Sequence, residues 1–404
     1  MDIKRIQAKD IPRFIILISN AVRDTFRAKR KRSSVSTQTY LYWDKRDRYL
    51  FLTARFLASK EMPLTIIPIE QRSIGIRDYL SRYGAYGRWT FTEPNITIAP
   101  SFPHNRDEAT LITSSALRKE CGEGWRKVVL IEEDISRLPP AIPYRKMPYG
   151  MHPHVYRSHQ EQAIDQLRCT PRTVRLFFSG NITLSTYAAS HSLRILKERF
   201  GMINRPRAIL TLLERFPDEI RQIFSLHEIE QIFLPPNFDK PEQMQAEQIV
   251  MALADRSRIP RGQWLQTLAH CNVFLALPGV YMPFSHNVVE AMAMGCIPLT
   301  NYGNWFDPPL EHMRTCIDFD TEDDLAAKVR MVLALDDDTI RDMRTSVIDY
   351  YDRYLAPVSF QESFRTFLEA APTETVLAIN TESAAVFERI TAESLLFQHR
   401  QYPL

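Results

Sequence analysis

Short apolar runs alternate with longer amphipathic stretches along most of this chain. Residues 13–19 read as a buried strand, and so do 64–69, 95–99 and 127–131, with Pro68 marking a strand end. Further on, the same pattern recurs at 174–178, 232–234, 273–277, 296–299 and 315–319. Between these runs, residues 40–59, 76–84, 108–121, 185–200, 205–223, 246–255 and 322–335 read as helices, and so does a last long stretch that follows 336–338 and runs through 354. Strands that alternate with helices call for crossover connections, and hence for parallel sheets in an α/β fold. The 404 residues suffice for two domains of ordinary size. We expect an N-terminal Rossmann-like domain over 1–165 and a second over 166–372. An extension, 373–404, carries less pattern; it is expected to brace the first domain, and to hold a helix near 382–397 or an oligomer contact.

One stretch, 271–300, is richer than the rest: CNVFLALPGVYMPFSHNVVEAMAMGCIPLT. An apolar strand closes at Pro278 and Gly279. A polar loop with Ser285, His286 and Asn287 follows, then a run of helix formers that Gly295 stops, then a second apolar strand. Ser285 is placed as an N-cap, which turns free N–H groups and the positive helix end toward the loop. Such an end suits an anion, most often a phosphate. Glu290 lies about one and a half turns further on, where a carboxylate suits the hydroxyls of a ribose.

These residues resemble the C-terminal, donor-binding half of GT-B glycosyltransferases, and in particular the exostosin-like group. The likeness rests on Pro278, Gly279, Ser285, Glu290, Ala291, Gly295, Cys296, Ile297 and Pro298. It implies two Rossmann-like domains with parallel sheets facing across a cleft. A nucleotide-diphosphate sugar would bind the second domain as co-substrate, and the acceptor would enter from the first. It also implies that Ser179, Gly180 and Asn181 form a turn at the donor's diphosphate or sugar, and that the loop at Ile259 lies by the nucleotide base. Met282 stands where many retaining enzymes have a second glutamate, so the stereochemistry stays open. His286 and Asn287 stand where the exostosin-like group often has an arginine.

An inverting transferase needs a general base for the acceptor hydroxyl. Glu132, Glu133 and Asp134 end a strand at the carboxyl edge of the first sheet and are the first candidates; a solvated strand end is the bland reading of each. His152, within the Pro-rich stretch 139–153 expected to connect the two domains, is a second candidate. It shares with His154 a spacing that lacks a third metal ligand. No metal or other cofactor is expected. Arg27, Lys29, Arg30, Lys31 and Arg32 form a basic patch suited to a lipid-linked acceptor or to peripheral membrane contact, or else to a solvated loop.

Composition limits the rest. A net charge of +3 does not imply nucleic-acid binding. Five scattered cysteines favour a reducing compartment. No apolar run approaches the ~18–20 residues that span a bilayer. The expected place is the cytoplasm, peripheral to the inner face of the membrane. The expected activity is transfer of a sugar to a glycan or lipid-linked hydroxyl, in surface polysaccharide or glycoconjugate synthesis. A nucleotide-sugar epimerase and a non-catalytic sugar-nucleotide scaffold remain as alternatives.

Overall fold

The computed structural model describes residues 38–44, 48–69, 84–133, 142–188, 190–233, 247–253, 258–280, 282–380 and 388–389, all within one compact unit, 38–404. The expected strand at 13–19, the basic patch Arg27–Arg32 and the helix at 382–397 lie outside the described residues or nearly so.

The first sheet holds β1 (Thr39–Tyr42), β2 (Leu64–Ile66), β3 (Ile96–Ile98), β4 (Thr110–Ser114), β5 (Lys127–Glu132) and β6 (Tyr144–Lys146). The second holds β7 (Val174–Gly180), β8 (Ile220–Ile223), β9 (Glu247–Leu253), β10 (Cys271–Ala276), β11 (Ile297–Thr300) and β12 (Ile317–Asp318). A late strand, β13 (Glu374–Ala378), returns to the first sheet. The orders are β3-β2-β1-β4-β5-β13-β6 and β12-β11-β10-β7-β9-β8. Every strand pairing described is parallel. Helices flank both sheets, giving two Rossmann-like domains that face a cleft, the GT-B arrangement.

Several elements differ from expectation. Residues 39–42 form β1 rather than a helix, because Thr-Tyr-Leu-Tyr is buried throughout between β2 and β4. The helix begins only at Arg48 and ends at Leu57. The expected helix at 108–121 is β4 followed by a 3-10 turn, Arg118–Cys121, closed by Gly122 at φ 69°. The β-branched run Thr-Leu-Ile-Thr fits a pleated surface better than a helix. Residues 246–255 hold β9 instead of a helix; Ile249, Val250 and Met251 are buried and paired with β7 on one side and β8 on the other. The expected strand at 232–234 ends the helix Leu226–Phe233. That helix opens on a serine cap: Ser225 Oγ accepts from the Glu228 N–H at 3.3 Å, while the Glu228 carboxylate reaches back to accept from the Phe224 N–H and from Ser225 Oγ, both at 2.9 Å. The helix Arg205–Arg215 stops before β8.

The return of the chain completes the first sheet. The helix Pro357–Ala370 packs on Arg48–Leu57, where Gln361 donates to the carbonyls of Arg55 and Ala58, both at 2.9 Å. Lys127 at the start of β5 donates to the carbonyls of Leu368 and Ala371 and so caps that helix's C-terminal end. β13 then inserts between β5 and β6. Among the described residues no helix is long and apolar enough to cross a membrane.

Candidate functional site

Strand order in the second sheet reverses between β7 and β10: β9 and β8 lie beyond β7, β11 and β12 beyond β10. Ligands of open α/β sheets bind in the crevice that such a reversal opens at the strands' carboxyl ends. Here the crevice is walled by Ser179 and Gly180, which are the last residues of β7 rather than a turn, and by the loop that follows β10. That loop is tight. The Gly279 N–H donates to Pro283 O at 3.2 Å, and a Cβ on Gly279 would fall 2.7 Å from Met282 O. The loop delivers Ser285 in an extended conformation, after which the helix His286–Ala293 begins. The Ser285 side chain makes no capping hydrogen bond, so the helix dipole and its first N–H groups are not offset by a cap. Asn287 Nδ2 donates to Ser179 O at 3.1 Å and ties this helix to the end of β7.

Arg205, the first residue of its helix, reaches into the same crevice. Its guanidinium donates to Leu277 O at 3.2 Å and lies over the Tyr187 ring. A Cβ on Gly180 would come within 2.9 Å of Arg205 Nη1. Gly180 therefore makes room for a cation, and its bareness serves a side chain of the protein itself. Arg205 Nε is buried and has no partner.

Glu290 is buried, and both carboxylate oxygens are engaged. One accepts from the His152 backbone N–H at 2.8 Å, the other from Trp264 Nε1 at 2.5 Å. Burial pushes its carboxyl up to about 7, against the pull of these two bonds and of Arg261. The carboxylate thus joins the second sheet's helix to the segment leaving the first sheet. Each oxygen keeps a further lone pair for a ligand hydroxyl.

Two imidazoles complete this wall. His152 precedes the short helix Pro153–Arg157, and its Nδ1 accepts from the His154 N–H at 3.1 Å. Burial, then Arg261, pushes it down to about 4, so the ring is neutral at pH 7 and its lone pair is committed to the cap. His286 bonds Gly150 O through Nδ1 at 2.8 Å, and burial pushes it down to about 3.

The crevice opens into a cavity of about 720 Å³ between the two sheets. The structure brings Ser179, Gly180, Asn181, Ile259, Gly279, Ser285, His286, Asn287, Glu290 and His152 onto its wall. Pro278, Glu132 and Glu133 are not on it. Glu132 sits at the end of β5 and accepts from Ser115 Oγ. Asp134 lies outside the described residues, as do Arg27, Lys29, Arg30, Lys31 and Arg32. Sequence reasoning passed over Arg48, Arg205, Arg258 and Arg261, all on the wall. Arg258 and Arg261 flank Ile259 in sequence, a basic spacing that was there to be read; Arg205 carried no such signal. Against these arginines the described wall sets one carboxylate, Glu290. Among the described residues no group of three or more His, Cys, Asp or Glu side chains is placed to hold a metal ion.

The fold and its cleft define a class, the two-domain α/β proteins of GT-B arrangement. No protein-family model matches the chain, and no curated protein matches it. Among solved structures it is similar to the N-terminal domain of Candida albicans trehalose-6-phosphate phosphatase, at 9% identity and TM-score 0.40, over 84% of this chain and 98% of that one. It is similar to Anabaena Alr3699/HepE in complex with UDP, at 10% identity and TM-score 0.42, over 82% and 100% of the two chains. It is similar also to T4 phage BGT in complex with UDP-glucose, at 10% identity and TM-score 0.34, over 81% and 98%. Likenesses this distant say nothing of substrate.

Proposed function

We propose that this chain is a glycosyltransferase of the exostosin-like kind, moving a sugar from a nucleotide-diphosphate sugar to a hydroxyl of a glycan or lipid-linked acceptor. The observation that carries the reading is the crevice between β7 and β10, where a helix start, Arg205 and Glu290 converge on one cavity. The helix N–H groups and Arg205 suit a diphosphate, both as bound ligand and as leaving group gaining charge. Glu290 suits ribose hydroxyls through its remaining lone pairs. Arg258 and Arg261, beside Ile259, extend the positive potential along the loop assigned to the nucleotide. The diphosphate charge is met by arginines and the helix end, and the reading needs no metal. Surface polysaccharide or glycoconjugate synthesis is the setting this activity would serve.

A second reading, nucleotide-sugar binding without transfer, is favoured by two observations. No carboxylate besides Glu290 lines the described wall, and the His152 lone pair is taken by the helix cap.

The test is thermal stability of the purified protein against a panel of nucleoside diphosphates and their sugar conjugates. A ligand at ~100 times its dissociation constant adds roughly 2.7 kcal/mol of stability. We expect a selective shift that Arg205→Ala cuts to about 0.3–1.3 kcal/mol, because a hydrogen bond to a charged group contributes ~1.5–3 kcal/mol. No shift with any member would refute the nucleotide-sugar reading. Binding without turnover on any acceptor would leave the second reading standing.

A further inference from the structure

His152 and His286 stand edge to face, with ring centroids 5.2 Å apart and planes at 77°. The backbone fixes the proton of each ring. Gly150 O is an acceptor only, so the Nδ1 of His286 that lies 2.8 Å from it carries the proton. The lone pair of His286 is therefore on Nε2. That atom is buried and meets no donor. His152 is the reverse. Its Nδ1 accepts from the His154 N–H, so its proton is on Nε2. Neither ring is free to turn without losing its backbone bond, and Tyr149 stacks on His286 with centroids 4.9 Å apart at 26°.

The wall thus holds an acceptor nitrogen and a donor nitrogen on neighbouring rings. A buried acceptor without a donor costs the full desolvation of its lone pair, and a phosphate oxygen has no proton to offer it. A hydroxyl group carries both a proton for the first and a lone pair for the second. His286 is also the first residue of the helix that faces the diphosphate in the reading above, and the group bonded to that diphosphate is the sugar.

We propose that His286, with His152 beside it, reads one hydroxyl of the donor sugar: the hydroxyl donates to His286 Nε2 and accepts from His152 Nε2–H. This assignment rests on the nucleotide-sugar reading. It makes the two histidines specificity-determining residues and gives neither the role of base.

Two variants test it. His286→Phe keeps a ring to stack on Tyr149 and removes both nitrogens. His152→Ser keeps a good helix cap and takes away the ring that carries the Nε2 donor, so it stands in should the first variant fold poorly. The measurement is calorimetric affinity for UDP and UDP-glucose, GDP and GDP-mannose, and UDP-N-acetylglucosamine. For the pair that the wild type binds, each variant should weaken the sugar conjugate about tenfold, one hydrogen bond's share. The bare diphosphate should change less than about twofold. Conjugate and diphosphate weakening in step would overturn the proposal, because a merely structural role moves both; so would no change in either. Failure of the wild type to bind any of these ligands would overturn the nucleotide-sugar reading itself, and this inference with it.

Discussion

The carboxyl edge of the second sheet brings a helix start, Arg205 and Glu290 to the cavity, whereas the first brings Arg48, Tyr49, Tyr86 and the segment Tyr149–Val155. The difference runs deeper than the lining. The second sheet is built from consecutive chain, 174–318, while the first waits for β13 at 374–378 before β5 and β6 are joined. The second half therefore carries its site on the strand ends and loops of one continuous stretch of chain, and the first carries a surface held in place from afar. The His152 N–H on Glu290 links the two.

The largest expected effect tests that dependence. Leu377 of β13 is fully buried, in register with Ile131 of β5 and Arg145 of β6. Leu377→Ala should cost about 2–5 kcal/mol in denaturant unfolding, as much as Leu275→Ala in β10 of the second sheet. A cost under about 1 kcal/mol at Leu377 alone would mean that the first sheet stands without its late strand, and the contrast would fail.

A smaller effect sharpens the link between the halves. The Glu290 carboxyl is raised from an ordinary 4.5 to about 7 in the folded chain, chiefly by burial. Between those values the native state holds a proton that the unfolded state has released. Its contribution to stability is therefore present at low pH and is lost as pH rises toward 7, by at most ~1.4 kcal/mol per unit. His152, His270 and His286 are held below their ordinary values, so they act in the opposite direction over part of this range. The readout is accordingly the difference between wild type and Glu290→Gln. The amide of that variant would offer one acceptor oxygen to two donors, His152 N–H and Trp264 Nε1. The advantage of the wild type should shrink steadily from pH 4.5 to 7; an advantage flat across that range would refute the raised carboxyl.

How much of this was legible follows the same division. In the second sheet, the strand, loop, helix and strand of 271–300 were readable because each boundary has a local cause: Pro278 and Gly279, Ser285, then Gly295 at φ 73°. β9 was misread there because a short apolar run buried on both faces looks the same as a buried helical turn. In the first sheet, β1 and β4 were misread for the same reason, and β13 was not separated from its extension, since only pairing with distant β5 and β6 makes Glu-Thr-Val-Leu-Ala a central strand. The residue types of the site were visible, yet their roles were not. The sequence shows a glycine at 180 but not the guanidinium above it, and a histidine at 152 but not the N–H that occupies it.

The smallest expected effect is the sharpest test of the first sheet's role. Glu132 ends β5 at the edge facing the cleft, which made it a candidate base. In the fold it lies off the cavity wall, accepts a hydrogen bond from Ser115 Oγ, and shares its register with Ala378 of β13. A base must come within about 2.6–3.2 Å of the proton it takes, or reach it through one water; we expect that Glu132, off the described wall, does neither. Glu132→Gln keeps an oxygen for Ser115 and removes the charge. It should change the dissociation constant of the nucleotide ligand and the turnover of any acceptor by less than about twofold, measured beside Arg205→Ala. A drop of a hundredfold or more in turnover, with ligand affinity unchanged, would put the base at the end of β5 after all. The first sheet would then supply chemistry as well as a surface, and the contrast between the two halves would have to be redrawn around that carboxylate.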